Sequence, residues 1–196
     1  MIRWLIGLTI WMAAIAPVRA GSVAFENHIY NPGLLKPIDS QLKVRAGQMA
    51  PDFTLPSIDG RKVQLSALRG SNVVISFVPA AWTPVCSDQW PGYQLAESLF
   101  KAHHTLLIGI TTDNLPTLWS WTRQMGALWF PVLSDFWPHG QVAEQYGVLR
   151  SDGTAERALI FIDRSGLISH IHVSDINQRP KLEVIAQQLE RLHPVQ

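Results

Sequence analysis

NVVISFVPAAWTPVC, residues 72–86, is the most informative segment of this sequence. Its first seven residues, 72–78, are β-branched or apolar almost throughout, which is typical of a strand buried on both faces of a sheet. Pro79 then turns the chain, and a helix is predicted over residues 84–103. Cys86 therefore falls near the first turn of a helix that follows a buried strand.

Short apolar segments alternate with helical segments along the rest of the chain. This alternation, followed by a late strand pair and a last helix, indicates the α/β class, as a sandwich whose mixed central sheet is flanked by helices. Further strands are predicted at 52–55, 62–65, 105–111, 131–133, 157–163 and 167–173, and further helices at 115–126, 140–146 and 181–192.

Composition favours one ordinary globular domain. The chain has 196 residues, of which 47% are hydrophobic and 16% are charged. This length suits one domain with a sizeable core. The formal net charge is only +1 and charges are dispersed, so nothing favours a nucleic-acid partner.

The sequence contains one cysteine, Cys86. A disulfide within the chain, a cysteine-rich metal site and a CxxC redox pair are therefore excluded. If this thiol carries out redox chemistry, another molecule must resolve its oxidised form.

The first twenty residues have the pattern of a secretory signal peptide. Arg3 supplies a positive charge, residues 5–16 are apolar, and small residues stand at positions −3 and −1 before a cleavage point after Ala20. The alternative is an uncleaved N-terminal anchor, and both place the domain outside the cytoplasm. The predicted organisation is a signal peptide at 1–20, an N-terminal extension without a core of its own at 21–45, and the folded domain at 46–196.

The position of Cys86 favours reactivity. A helix N-terminus carries a partial positive charge and backbone N–H groups without partners, and both stabilise a thiolate, the nucleophilic form of cysteine. The hydroxyl of Thr83, three residues earlier, can hydrogen-bond the thiolate or an incoming oxygen. The alternatives are a buried, inert cysteine and a threonine that only satisfies a backbone group.

Pro79, Thr83 and Cys86 match the P-x-x-x-T-x-x-C signature of peroxiredoxins. APDF at 50–53 and FPVLSD at 130–135 also resemble segments of that family, and the similarity extends from about residue 46 to near residue 190. The chain thus resembles a peroxiredoxin of the AhpC/TSA type in a single-cysteine form.

The resemblance implies a thioredoxin-like fold with Cys86 as the peroxidatic cysteine. It also implies that Arg157 lies beside the sulfur and stabilises both the thiolate and the reacting peroxide, and that Pro79 shields the sulfur from water. The alternative for Arg157 is a surface charge at the start of a strand. The expected substrates are hydrogen peroxide and organic hydroperoxides, without a cofactor. The expected partners are an external thiol, either a thioredoxin-like protein or a small thiol, and a second copy of the chain in a homodimer.

Two residues depart from the family pattern. Gln89 stands where many members carry glutamate, and Trp82 stands where phenylalanine is usual. Because of Gln89, a catalytically inactive binding domain on the same fold stays open as an alternative function.

Other functions and sites have weaker support. A thiol–disulfide oxidoreductase or a copper-delivery protein on this fold would need a second cysteine. His170 and His172 would share one face of a strand, but two histidines are too few for a metal site. Most of the tryptophans at 82, 90, 119, 121, 129 and 137 are expected in the core, with Trp82 and Trp129 as candidates for a substrate entrance or a dimer contact.

Overall fold

The computed structural model describes residues 28–192. The predicted signal peptide at 1–20 lies outside this range, and its cleavage stays a prediction. Between residues 28 and 192, none of the helices has the length and apolar character needed to cross a membrane. Residues 28–45, the described part of the N-terminal extension, contain neither helix nor strand.

A five-stranded mixed sheet forms the centre of the described region, with the strand order β5-β4-β3-β6-β7. The strand β3 pairs in parallel with β4 and antiparallel with β6. A separate antiparallel hairpin of β1 and β2 precedes the sheet. The predicted mixed sheet is confirmed. The strands are β1 (Thr54–Pro56), β2 (Lys62–Gln64), β3 (Asn72–Phe77), β4 (Thr105–Thr111), β5 (Val132–Ser134), β6 (Ala158–Ile162) and β7 (Ile168–Val173).

Five α-helices accompany the sheet within the described residues. They are α1 (Pro84–Gln94), α2 (Glu97–Ala102), α3 (Leu115–Gln124), α4 (Gln141–Tyr146) and α5 (Leu182–Leu192), and a 3₁₀ turn spans Leu65–Leu68. The prediction of one continuous helix over 84–103 is wrong, because the chain turns between α1 and α2. There the Ala96 N–H bonds to the Tyr93 carbonyl at 3.1 Å, and Pro91 in the preceding turn has already removed one backbone donor.

Two apolar layers cover the two faces of the sheet. Because side chains alternate along a strand, Val73, Ile75 and Phe77 enter one layer while Val74 enters the other. This accounts for the unbroken apolar segment at 72–78. Cys86 belongs to the second layer, which is rich in aromatic rings.

The prediction that most of these tryptophans lie in the core is confirmed for only some of them. Trp90 and Trp121 are fully buried, with ring centroids 4.9 Å apart. Trp119 is 51% exposed, and the Arg123 guanidinium lies 4.6 Å from its ring centroid. Trp137 is 82% exposed. For these last two residues the core prediction is wrong.

Candidate active site

Cys86 lies in the first turn of α1. Pro84 opens the helix, where its fixed φ fits and its missing N–H costs no hydrogen bond. The first intrahelical bond runs from the Ser87 N–H to the Thr83 carbonyl at 2.9 Å. The amides of Val85 and Cys86 precede this bond, so they have no partner within the helix. The thiol is fully buried.

The loop between β3 and α1 is held from two sides. The Ala81 N–H donates to Asp113 Oδ2 at 2.8 Å. Trp82 adopts a left-handed conformation with φ of 61°, which is unfavourable for a bulky side chain. Its carbonyl accepts a hydrogen bond from the Tyr30 N–H at 2.8 Å. The N-terminal extension therefore contacts the active-site loop directly.

Arg157 immediately precedes β6 and reaches the sulfur. The register pairs Phe77 with Ala158, so the ends of β3 and β6 bring Arg157 beside the loop that carries Cys86. The Arg157 Nη2 lies 3.5 Å from Cys86 Sγ. Its Nε and Nη2 also donate to the Ile176 carbonyl, at 3.1 Å and 3.0 Å. At 2% exposure this guanidinium is fixed in the interior, so the surface-charge alternative is wrong.

Gln89 supplies the remaining hydrogen bond to Arg157. Its Oε1 accepts from Arg157 Nη1 at 2.5 Å, while its Nε2 donates to Ser76 Oγ at 3.2 Å and to Tyr93 Oη at 2.9 Å. Burial raises the pKa of Tyr93 to about 12, so this hydroxyl stays neutral. An amide therefore orients the guanidinium without a carboxylate charge.

Among the residues that the structure describes, no carboxylate pairs with Arg157, so its positive charge is not neutralised beside the Cys86 sulfur. The neighbouring carboxylate, Glu156, is fully buried and accepts instead from Arg150 Nη1 at 2.7 Å and from the Asp39 N–H at 2.6 Å. The hydrogen-bond acceptors of Arg157 are a carbonyl and an amide, both neutral, apart from the Cys86 sulfur itself. Ionisation of Cys86 would pair its negative charge with this guanidinium.

Thr83 and Pro79 lie at the same site. The Thr83 hydroxyl donates to the Ala80 carbonyl at 2.9 Å. The one hydroxyl proton is used within the loop, as in the alternative in which Thr83 satisfies a backbone group, and a hydrogen bond from Thr83 to an incoming oxygen stays a prediction. Both residues nevertheless line a cavity of about 310 Å³ that also reaches Arg157.

The opposite side of this cavity is formed by residues 31–35 and by Asn177. Sequence reasoning missed these residues, as it missed the Ile176 carbonyl and Asp113. The N-terminal segment has no periodic apolar pattern. A hydrogen bond made by a backbone group does not depend on the residue type, so the sequence does not reveal it.

His170 and His172 both lie on β7. Burial lowers the pKa of each imidazole below its ordinary value. Nowhere in residues 28–192 do three or more His, Cys, Asp or Glu side chains form a group able to hold a metal ion.

Known proteins resemble this chain in sequence and in fold. The model of the AhpC/TSA family matches residues 46–171. Peroxiredoxin-2 of Cricetulus griseus is 33% identical over 138 residues, covering 66% of this chain and 70% of the relative. The chloroplastic 2-cysteine peroxiredoxin of Chattonella marina var. antiqua is 31% identical over 144 residues, covering 69% and 74%.

The fold likeness extends to solved structures. The reduced 2-Cys peroxiredoxin of Plasmodium vivax superposes with a TM-score of 0.69 at 23% identity, covering 75% of this chain and 81% of that one. Together with the residues around Cys86, the family match and the sequence relatives determine the class of protein. The chain belongs to the AhpC/TSA family: it is a peroxiredoxin, a thiol peroxidase with a thioredoxin-like fold.

Proposed function

We propose that Cys86 reduces hydrogen peroxide and organic hydroperoxides through a sulfenic acid, and that an external thiol restores it. The thiolate attacks one peroxide oxygen, an S–O bond forms and the O–O bond breaks. Sulfur loses two electrons, and the departing oxygen takes a proton and leaves as water or as an alcohol. The product is Cys86 sulfenic acid, the first oxidation state of the thiol.

The contact between Arg157 and Cys86 carries this proposal. A guanidinium is always charged and offers several N–H donors in a fixed fork. At 3.5 Å from the sulfur it stabilises the thiolate, and it borders the cavity where the peroxide would sit. Charge developing on the departing oxygen falls within reach of the same donors and of the Cys86 amide.

Pro79 and Thr83 have positioning roles in this scheme. Pro79 is buried beside the cavity and excludes water from the region of the sulfur. The Thr83 hydroxyl, held by the Ala80 carbonyl, presents its lone pairs as acceptors for the proton of a hydroperoxide. Thr83 thus orients the substrate as an acceptor while Arg157 donates.

Regeneration requires thiols from outside the chain, because Cys86 is the sequence's one cysteine. A first external thiol attacks the sulfenic sulfur, releasing water and forming a mixed disulfide. A second thiol attacks that disulfide, which frees Cys86 and leaves the reductant oxidised as a disulfide. A small thiol or a thioredoxin-like protein supplies both steps.

Catalytic turnover tests this function. Peroxide consumption is measured with excess dithiol, for the unmodified protein, Cys86→Ser and Cys86→Ala. We expect turnover that is abolished in both variants and that reaches saturation with the reductant. A folded protein that consumes peroxide no faster than the dithiol alone would instead favour a catalytically inactive binding domain.

We also propose that the enzyme works in the periplasm or is secreted. The support is the pattern of residues 1–20, with a positive charge, an apolar stretch and small residues at positions −3 and −1 before a cleavage point after Ala20. Expression of the full chain with fractionation and N-terminal sequencing tests this. A mature chain that begins at Gly21 supports cleavage, and retention of Met1 in the cytoplasmic fraction contradicts it.

A homodimer stays a prediction from the family resemblance. Sedimentation velocity of the reduced protein at several concentrations distinguishes a monomer from a dimer. A concentration-independent monomer would contradict the prediction.

A further inference from the structure

The cavity beside Arg157 is larger than hydrogen peroxide requires. Its volume is about 310 Å³, whereas one water molecule in the liquid occupies about 30 Å³. The space therefore takes several non-hydrogen atoms besides the two reacting oxygens.

Residues 31–35, here named the N-terminal wall, line this cavity together with residues of the folded domain. Pro32, Leu34 and Leu35 contribute apolar surface to it, and Pro79 and Ile176 contribute apolar surface from the folded domain. Arg157 is the one charged residue among those that line the cavity. An uncharged, apolar substituent on a hydroperoxide fits this lining, with its oxygens directed to Arg157.

Asn177 fixes the N-terminal wall through a pair of hydrogen bonds. The Leu35 N–H donates to Asn177 Oδ1 at 2.9 Å, and Asn177 Nδ2 donates to the Leu35 carbonyl at 2.9 Å. This side chain thus bonds both backbone groups of Leu35, as a neighbouring strand would. Asp175 Oδ1 also accepts from Asn177 Nδ2 at 2.7 Å, which orients the amide.

The same loop supports the catalytic arginine. The Ile176 N–H donates to the Pro37 carbonyl at 3.0 Å, while the Ile176 carbonyl accepts two bonds from Arg157. Just before the wall begins, the Tyr30 N–H bonds to the Trp82 carbonyl. The N-terminal wall is therefore tied to the folded domain at Leu35 and, just outside its two ends, at Tyr30 and Pro37, while Leu34 is 92% exposed.

We propose that the N-terminal wall is a specificity-determining element, fixed by Asn177, which favours alkyl and aryl hydroperoxides over hydrogen peroxide. This inference rests on the proposed function and adds to it the residues that select the substrate. The wall contacts the organic substituent, so its loss weakens the reaction with substituted peroxides more than the reaction with hydrogen peroxide.

The experiment compares two peroxides on the same protein. Second-order rate constants for oxidation of Cys86 are measured by stopped-flow fluorescence with cumene hydroperoxide and with hydrogen peroxide. The variants are Asn177→Ala, Leu35→Ala and the matched control Gln178→Ala, an exposed neighbour outside the cavity lining. The ratio of the two rate constants cancels any general damage to Cys86 or Arg157.

We expect the rate constant with cumene hydroperoxide, divided by that with hydrogen peroxide, to fall about tenfold in Asn177→Ala and in Leu35→Ala. An apolar contact with one or two methylene groups discriminates between substrates by about this factor. Gln178→Ala should keep the ratio of the unmodified protein. Leu35→Ala gives the answer if Asn177→Ala does not fold. An unchanged ratio in a folded wall variant overturns this inference and leaves the peroxidase function intact. Failure of both peroxides to oxidise Cys86 in the unmodified protein overturns both.

Discussion

Replacing Arg157 by methionine removes the charge and the N–H donors beside Cys86 while keeping an unbranched side chain. In the structure Nη2 lies 3.5 Å from Sγ, and neither of the other acceptors of the guanidinium is charged. A hydrogen bond to a charged group contributes about 1.5–3 kcal/mol. At 25 °C this corresponds to a loss of about 10- to 150-fold in the rate of peroxide attack near neutral pH.

The assay is single-turnover oxidation of Cys86 by hydrogen peroxide, followed by stopped-flow tryptophan fluorescence from about pH 6 to pH 10. Arg157→Met should react more slowly across this range, because the departing oxygen loses N–H donors for the charge that develops on it.

Two further variants complete this test. Arg157→Lys keeps the charge without the fork and should fall between the unmodified protein and Arg157→Met. Arg61→Met removes an arginine from an exposed pair with Asp59 and should react normally. If Arg157→Met folds, by circular dichroism, and reacts as fast as the unmodified protein at every pH, the assigned role of Arg157 is refuted.

Three further predictions concern the scaffold of the site. A Cβ on Gly109 would lie 2.6 Å from the Trp90 ring, so Gly109→Ala should cost about 1–3 kcal/mol by overpacking; an unchanged urea midpoint would contradict this. Asp113→Ala leaves a backbone N–H of the active-site loop without its acceptor. The free energy of unfolding should therefore fall by about 1–3 kcal/mol, and the rate of Cys86 oxidation should fall as well. A normal rate would show that the loop does not depend on this bond. Burial lowers the pKa of His170 and His172 below 6.5 in the folded state, so the unfolded chain takes up protons first as pH falls below about 6.5. Stability should therefore be full above that pH and decline below it, and the double glutamine variant should show a flatter dependence of Tm between about pH 5 and pH 8.

The sequence predicted the elements whose signals are local. The apolar segment at 72–78 could be identified as a doubly buried strand, and the cysteine that follows it could be placed at a helix N-terminus. Arg157 is different, because it lies 71 positions after Cys86 in the sequence. Its position beside the sulfur was expected from the family resemblance, since no local pattern links two residues so far apart.

The remaining features depend on tertiary contacts. The Thr83 hydroxyl has several possible partners, and only the folded loop brings the Ala80 carbonyl to it. The break between α1 and α2 was not predicted, although Pro91 removes a backbone donor in the turn that precedes it. The N-terminal wall could not be predicted because it is fixed largely through backbone groups and the side chain of Asn177, none of which leaves a periodic signal.

Oxidation of Cys86 by an equal amount of hydroperoxide is the most direct test of the central claim. The reduced protein is mixed with peroxide, and Trp90, buried in the same apolar layer as Cys86, reports the reaction by fluorescence. Intact mass and a sulfenic-acid probe then identify the product, with Cys86→Ser as the control. We expect the thiol to react far faster than free cysteine, gaining one oxygen at Cys86. A folded protein whose thiol reacts no faster than free cysteine, with hydrogen peroxide and with organic hydroperoxides alike, would contradict the account.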